Sequence, residues 1–382
     1  MSCIRISLRG LPAVALAVAI LLLGSAQCAK RDQPNDDEEE STAEVFTVEK
    51  QADLSRLAVV AADMRYLLGI DTTTFYVVAR IRWNGPLFDK LARLPDGGVL
   101  VVDERMEQEN RLYRLNPDCS LYASVPVPDR PATPFVHGNL AIMGGSYFGP
   151  EGIAVMVYQL DSMVHRKTFG VKGIVIRQEG FCAQGDKIFL PYVNSVGELA
   201  QRESFPVMLD ANTLDTVHLR IGDLLKGKSS DSFLSAVCGD TLVVLPISGC
   251  HPIVYDLATR RTLAHRDVGP ELIAKIGQRR GISGQPVVRD GMLHTLYIIA
   301  EGMVRKAYWV KIRLSDLSLI DAKQVALDYG AHWTAGDDFH TFGRFYIIET
   351  DMPERKTFRA TFVDWRTGEV AGQCSVYDLT YK

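Results

Sequence analysis

The chain has 382 residues, of which 47% are hydrophobic, 23% charged and 9% aromatic, and its formal net charge is −4. A chain this apolar can bury a large core, so the composition excludes a wholly disordered protein. The small excess of acids also argues against a protein that binds nucleic acid through its phosphates. Length alone suggests two or three domains, although large all-β domains exceed the usual domain size.

The first 27 residues have the order of a secretory signal peptide. Arg5 and Arg9 precede an apolar run from Leu11 to Leu23, and small residues follow at 24–26. As a helix this run would span about 20 Å, which is short of a hydrocarbon core of about 30 Å. Residues 1–27 are therefore predicted to be a cleaved signal peptide, with an uncleaved membrane anchor as the alternative.

Cys28 follows this segment directly and resembles the lipidated cysteine of bacterial lipoproteins. Ser25 and Gln27 depart from the usual lipobox, so ordinary cleavage after Ala26 is a second interpretation. Lipidation at Cys28 would attach the protein to the outer membrane of the cell envelope, on its periplasmic or its outer side. The alternative is a soluble periplasmic or secreted protein.

Residues 28–44 are predicted to form a flexible tether between the lipid and the folded domain. The run from Asp36 to Glu40 consists only of acids, which repel each other and stay solvated. This tether also resembles the acidic segments that direct some lipoproteins to the cell surface.

Five cysteines remain after Cys3 and Cys28 are set aside, and no two of them have a CxxC spacing. This excludes a zinc ribbon or a thioredoxin-type motif. A disulfide between Cys238 and Cys250 is one interpretation, and burial as reduced thiols in strands is the favoured one.

The body of the chain is a repeat of an Asp/Gly turn followed by an apolar strand. The glycines of the six copies stand at positions 97, 138, 185, 239, 291 and 343. A second apolar strand with a polar turn, such as Ile253 to Thr259, completes each unit, so each unit contains two hairpins and four strands. Units of about 40–50 residues are typical of β-propeller blades, whereas tandem immunoglobulin-like domains would repeat near 100.

We therefore predict an all-β fold: a β-propeller over residues 45–382, with six blades of four antiparallel strands. The count rises to seven if Val45 to Ile70 supplies further strands. Phe75 to Trp83 alternates between two faces like a half-exposed strand. We predict that it is an N-terminal latch that pairs with the blade formed by residues 334–382.

Together with the signal peptide, Cys28 and the tether, repeats such as Leu94 to Asp103 make the chain resemble the six-bladed β-propeller lipoproteins of bacterial envelopes. These are related in pattern to NHL and TolB-like propellers. The resemblance implies a location and a fold, but no catalytic residue, and we expect no cofactor.

Motifs of known chemistry are absent from the sequence. It contains no P-loop, no Gly-x-Ser-x-Gly elbow and no His-Glu-x-x-His helix. The densest set of metal-ligand types suits zinc, although exposed loop residues of the last repeat explain it equally well. This set is His332, Asp337, Asp338 and His340.

In a propeller, the connections between the second and third strands of all blades emerge at one face, where binding residues are usually found. The candidate residues there are Asp103, Tyr147, Tyr192, Asn194, His251, Glu301, Glu349 and Asp351. We expect a monomeric, non-catalytic lipoprotein whose propeller face binds a protein partner or an extracellular glycan or peptide. The alternative is a propeller hydrolase or lyase acting on polysaccharide or peptide, with His251 and Asp351 sharing acid and base work.

Overall fold

The computed structural model describes residues 45–84, 88–103, 110–127, 134–144, 153–171, 181–193, 204–219, 221, 233–246, 250–277, 281–301, 304–327, 340–352 and 357–377. The predicted signal peptide, Cys28 and the acidic tether lie outside these residues.

Seven antiparallel sheets follow one another along the chain, each forming one blade of a β-propeller. The first blade contains β1 (Phe46–Lys50), β2 (Ala58–Ala62), β3 (Tyr66–Ile70) and β4 (Val77–Trp83). The second contains β5 (Phe88–Arg93), β6 (Val99–Asp103), β7 (Asn110–Leu115) and β8 (Leu121–Val127). The third contains β9 (Phe135–His137), β10 (Leu140–Gly144), β11 (Ile153–Gln159) and β12 (Val164–Val171). The fourth contains β13 (Cys182–Gln184), β14 (Lys187–Val193), β15 (Ser204–Asp210) and β16 (Thr216–His218).

The remaining three blades follow the same plan. The fifth contains β17 (Phe233–Cys238), β18 (Thr241–Pro246), β19 (Ile253–Asp256) and β20 (Arg261–His265). The sixth contains β21 (Ile282–Ser283), β22 (Val287–Arg289), β23 (Met292–Glu301), β24 (Val304–Arg313) and β25 (Leu319–Gln324). The seventh contains β26 (His340–Phe342), β27 (Phe345–Met352), β28 (Thr357–Asp364) and β29 (Val370–Tyr377). A 3₁₀ turn (Leu54–Arg56) and helix α1 (Gly269–Ile276) are the helical segments of the described chain.

The predicted all-β propeller with four-stranded blades is confirmed. The number of blades is seven, because residues 46–70 supply strands β1, β2 and β3 of an additional blade. The predicted alternative of seven blades, with further strands from Val45 to Ile70, is therefore the one that the structure shows. The turn between β2 and β3 contains no glycine and places Asp63 and Met64 at φ of 53° and 50°.

The apolar runs of the repeat are buried on both sides because each blade packs between two others. In β6, Val99 and Val101 pack against the first blade, while Leu100 and Val102 pack against the third. All four are fully buried. Alternate residues of a strand point to opposite faces, so a strand between two blades must be apolar throughout. The core is thus a series of interfaces between neighbouring blades.

The two ends of each blade differ in their connections. In blades two to seven, one end carries the turns between first and second strands and between third and fourth strands, which we name the turn end. Gly138 and Gly239 lie in such turns at φ of 57° and 59°, a conformation that glycine adopts without strain. The opposite end, the loop end, carries the connections between second and third strands and those between blades.

The first blade is shifted by one strand relative to the others. Its β2–β3 turn lies at the loop end, because the backbone N–H groups of Trp83 and Phe88 donate to the carbonyls of Arg65 and Met64. Strands β2, β3 and β4 therefore run like the second, third and fourth strands of the other blades, and β1 is added outside β4. Among the described residues, no strand takes the innermost place of this blade.

Arg93, the last residue of β5, extends from the turn end of the second blade to the inner edge of the first blade. Its guanidinium donates to the carbonyls of Leu54, Ser55 and Leu57, and its guanidinium carbon lies 4.7 Å from the ring centroid of Phe342. Arg93 belongs to the second blade and Phe342 to the seventh, so the first blade's neighbours meet at its inner edge. Burial lowers the pKa of Arg93, and the three carbonyl oxygens provide polar partners for its charge.

The predicted latch is wrong in its pairing. Strand β4 pairs with β1 and β3 of its own blade, and it pairs with no described strand of residues 340–377. The first and seventh blades instead meet through side chains: the ring of Phe75 lies 5.2 Å from that of Phe362 and 6.2 Å from that of Phe345. The half-exposed appearance of β4 has a different origin, because Arg80 and Arg82, on the face opposite the buried Ile81, form ion pairs with Glu49 of β1.

Candidate functional site

The described candidate residues lie at or near the loop ends of their blades. Asp103 is the last residue of β6, His251 precedes β19, and Glu349 lies in the second half of β27. Tyr192, Glu301, Asp351 and the metal candidate His340 lie in described strands, but their side chains are outside the described part of the structure. Tyr147, Asn194, His332, Asp337 and Asp338 lie outside the described residues.

Asp103 is held inside the second blade. Its side chain is fully buried; Oδ1 accepts the backbone N–H of Arg111 at 2.7 Å, and Oδ2 accepts the Tyr113 hydroxyl at 3.1 Å. The edge of the Tyr113 ring faces Trp83 of the first blade. A buried carboxylate needs such donors, so Asp103 connects the two middle strands of its blade.

Glu349 and His251 are more accessible than Asp103. Glu349 is half-buried and faces Ala360 across the pairing of β27 and β28. His251 is half-buried beside β20, and its Nε2 lies 3.4 Å from Nδ1 of His265. Asp103, Glu349 and His251 belong to three different blades, the second, the seventh and the fifth.

His265 was missed by sequence reasoning. It ends the exposed outer strand β20, and a lone histidine on an outer strand has no distinctive motif. The signal that identifies it is the register, because His265 is directly opposite Ile253, two residues beyond His251.

The described cysteines are free thiols, and most of them are buried. Burial raises the pKa values of Cys182 and Cys250 to about 12, which disfavours their reactive thiolate forms. Cys238 corrects the expectation of burial, because its side chain is exposed at the end of β17.

Two broader searches covered only the described residues. They contain no group of three or more His, Cys, Asp or Glu side chains placed to hold a metal ion. They also contain no helix long and apolar enough to cross a membrane.

Neither a protein-family profile nor a curated protein sequence matches the chain. Among solved structures, it is similar to the dihydro-heme d1 dehydrogenase NirN, with a TM-score of 0.51 and 11% identity over 94% of this chain and 84% of that one. A protein of unknown function from Desulfotomaculum acetoxidans gives a TM-score of 0.52 and 12% identity over 82% of this chain and 93% of that one. BamB from Moraxella catarrhalis gives a TM-score of 0.48 and 10% identity over 87% of this chain and 92% of that one. At such identities the likeness concerns the fold alone, and the chain is a seven-bladed β-propeller.

Proposed function

We propose that this protein is a non-catalytic binding protein of the bacterial cell envelope, attached to the membrane by a lipid on Cys28. Its loop end would bind a partner protein or an extracellular glycan or peptide. The lipid anchor rests on the N-terminal sequence, and the binding role rests on the geometry of the propeller.

The observation that carries the binding role is the asymmetry between the two ends. At the turn end, consecutive strands are joined by tight turns such as 138–139, 185–186 and 239–240. At the loop end, five of the six connections between blades are much longer, and only the first, residues 84–87, is short. The five long connections are residues 128–134, 172–181, 219–232, 266–281 and 325–339. Long connections on a rigid scaffold are where proteins place variable binding surfaces.

The turn end is occupied by internal hydrogen bonds. Oδ1 of Asp210 accepts the N–H groups of Asn212 and Thr213, and Oδ1 of Asp256 accepts those of Ala258 and Thr259. Each carboxylate accepts backbone N–H groups of the turn in which it lies, so these aspartates stabilise the turns themselves. The division of labour therefore favours binding at the loop end and structural turns at the other.

Site-specific photo-crosslinking tests the binding surface. A photoreactive amino acid replaces Ala274, which is exposed on helix α1 at the loop end, or Thr259, which is exposed at the turn end of the neighbouring blade. We expect one defined cross-linked species in cells from position 274 and none from 259. The same species from both positions, or from 259 alone, would contradict the proposal.

The anchor is tested separately. Labelled palmitate should enter the wild-type protein and should be absent from Cys28→Ala, and globomycin should block processing. No label on the wild type would remove the lipid anchor from the proposal. The crosslinking result would then still decide the binding surface.

A further inference from the structure

His251 and His265 are brought together by an extension of the β19–β20 pairing. Beyond the paired residues Ile253 and His265, the N–H of Val268 donates to the carbonyl of Cys250 at 2.9 Å. This keeps the two chain segments antiparallel beside each other. His251 and His265 are then diagonal neighbours on one face of the ribbon, a placement within reach of ring side chains.

The segments that carry the pair are fixed from both sides. Val268 and Leu272 are fully buried in the cluster between the fifth and sixth blades, which also contains Cys250. Lys275 of α1 forms an ion pair with Asp321 of the sixth blade at 2.8 Å. The backbone at both histidines is thereby held in place before any ligand arrives.

The two ring nitrogens have the separation of two ligands on one metal ion. Nε2 of His251 lies 3.4 Å from Nδ1 of His265, and the ring centroids are 5.6 Å apart. Two imidazole nitrogens bound to one tetrahedral zinc ion at about 2.0–2.1 Å are about 3.3 Å apart. The ring planes differ by 18° and the two nitrogens point almost directly at each other, so an ion binds both of them when each ring turns by roughly 35°.

We propose that His251 and His265 form a two-histidine site for a divalent transition-metal ion such as Zn²⁺, Ni²⁺ or Cu²⁺. Imidazole nitrogen suits these ions, whereas Mg²⁺ and Ca²⁺ prefer oxygen ligands. Cys250 is not a third ligand, because it is fully buried in the apolar cluster between the fifth and sixth blades. The other coordination positions are taken by water or by donor atoms of a bound molecule.

The bound state requires a defined tautomer of each ring. His251 carries its proton on Nδ1 and His265 on Nε2, so that the two facing nitrogens both offer lone pairs. Without metal, the two facing nitrogens lie 3.4 Å apart, within hydrogen-bond distance of each other. The site is independent of the anchor at Cys28 and of the identity of any partner.

Titration calorimetry of the purified, untagged protein with ZnCl₂ and NiCl₂ tests the site, with MgCl₂ as the comparison ion. We expect one ion per chain for zinc or nickel, and at least tenfold weaker binding in both His251→Gln and His265→Gln. The matched control is His165→Gln. His165 is an exposed histidine of the third blade that contacts Thr168 of the same strand, and its replacement should leave binding unchanged. Unfolding midpoints of the variants verify that each one folds.

A spectroscopic measurement identifies the ligands directly. With ring-labelled histidine, sub-stoichiometric Cu²⁺ should broaden the resonances of His251 and His265 before that of His165. The proposal is overturned if the wild type binds neither zinc nor nickel, if both glutamine variants bind as tightly as the wild type, or if copper broadens His165 first.

Discussion

The ring of Phe75 lies directly against the backbone of Gly372, so that a methyl group on this glycine would clash with three carbons of the ring. Phe75 belongs to the first blade and Gly372 to the last. Phe75 itself has a φ of 58°, an unusual conformation for a large side chain, which the turn imposes. This contact is part of the apolar cluster that closes the ring.

Phe75→Ala should lower the free energy of unfolding by about 2–4 kcal/mol, because it leaves a cavity between the first and last blades. Gly372→Ala should cost about 1–3 kcal/mol through overpacking. Urea denaturation measures both effects. Since the clash requires the ring, Gly372→Ala should cost much less in the Phe75→Ala background. Tyr76→Ala, at a residue that is 73% exposed, is the control and should change little. Simple additivity of the first two changes would show that the predicted contact is not made.

Arg93→Met should destabilise the fold by about 1–3 kcal/mol, because the carbonyls of Leu54, Ser55 and Leu57 lose a charged donor. Arg93→Lys keeps the charge but not the planar fork of donors, and an intermediate loss is expected. Thermal and urea unfolding provide the measurement. Arg313→Met, which removes an exposed ion pair with Asp316, is the comparison and should cost at most about 1 kcal/mol. Equal losses at the two positions would contradict the bridging role of Arg93.

His294 should make the fold less stable in mild acid. It is buried between Trp309 and Trp365, with ring centroids 5.8 Å and 5.4 Å away. Burial, and then the charge of Lys311, lower the pKa of His294 to about 4 from the usual 6.5. Between these two values the unfolded chain takes up a proton that the folded chain does not, so stability falls as the pH decreases from 6.5 to 4. The full loss is about 3 kcal/mol, and it is constant below pH 4.

Unfolding free energies at pH 7.5, 5.5 and 4.0 measure this loss, and His294→Phe separates it from the titration of carboxylates. The difference between wild type and variant should change by about 3 kcal/mol across this interval. A difference that does not vary with pH would mean that His294 is protonated equally in both states.

Asp103 should affect stability, and its loss should not abolish binding at the loop end. Asp103→Ala leaves the N–H of Arg111 and the Tyr113 hydroxyl without this acceptor, and we expect a cost of about 1–3 kcal/mol. Tyr113→Phe removes only one of these bonds and should cost about 1 kcal/mol. The crosslink from position 274 should persist in both variants. Loss of this crosslink in a folded Asp103→Ala variant would place Asp103 among the binding residues.

Sequence patterns predicted most of the fold because each blade consists of local hairpins with strong turn signals. The first blade has no glycine turn of the repeat, but it has an aspartate turn between β3 and β4. Asp71 accepts the N–H groups of Thr73 and Thr74, as Asp210 accepts those of Asn212 and Thr213. The pattern Asp-x-x-Thr identifies residues 71–74 as a turn of the same kind, and this turn marks the first blade.

Such local patterns do not predict which strands pair with β4. Its alternation identified a strand, but strand pairing depends on contacts distant in sequence, and β1 is a half-polar segment next to the acidic tether. The site shows the same limit. The order of antiparallel strands places His251 at the loop end, whereas its neighbour His265 follows only from the register of β19 with β20.

The described strands of the first blade come from residues 46–83, and this determines how the described sheets close the ring. Many rings share one sheet between the two chain ends; here the described strands of the first blade all precede those of the second, and the described strands of the last blade all come from residues 340–377. Among the described strands, ring closure is then the packing of two separate sheets, which can separate without breaking a described strand pairing. The first and seventh blades are not consecutive in the chain, so opening between them would turn the closed ring into an open arc of seven blades whose described strand pairings all persist.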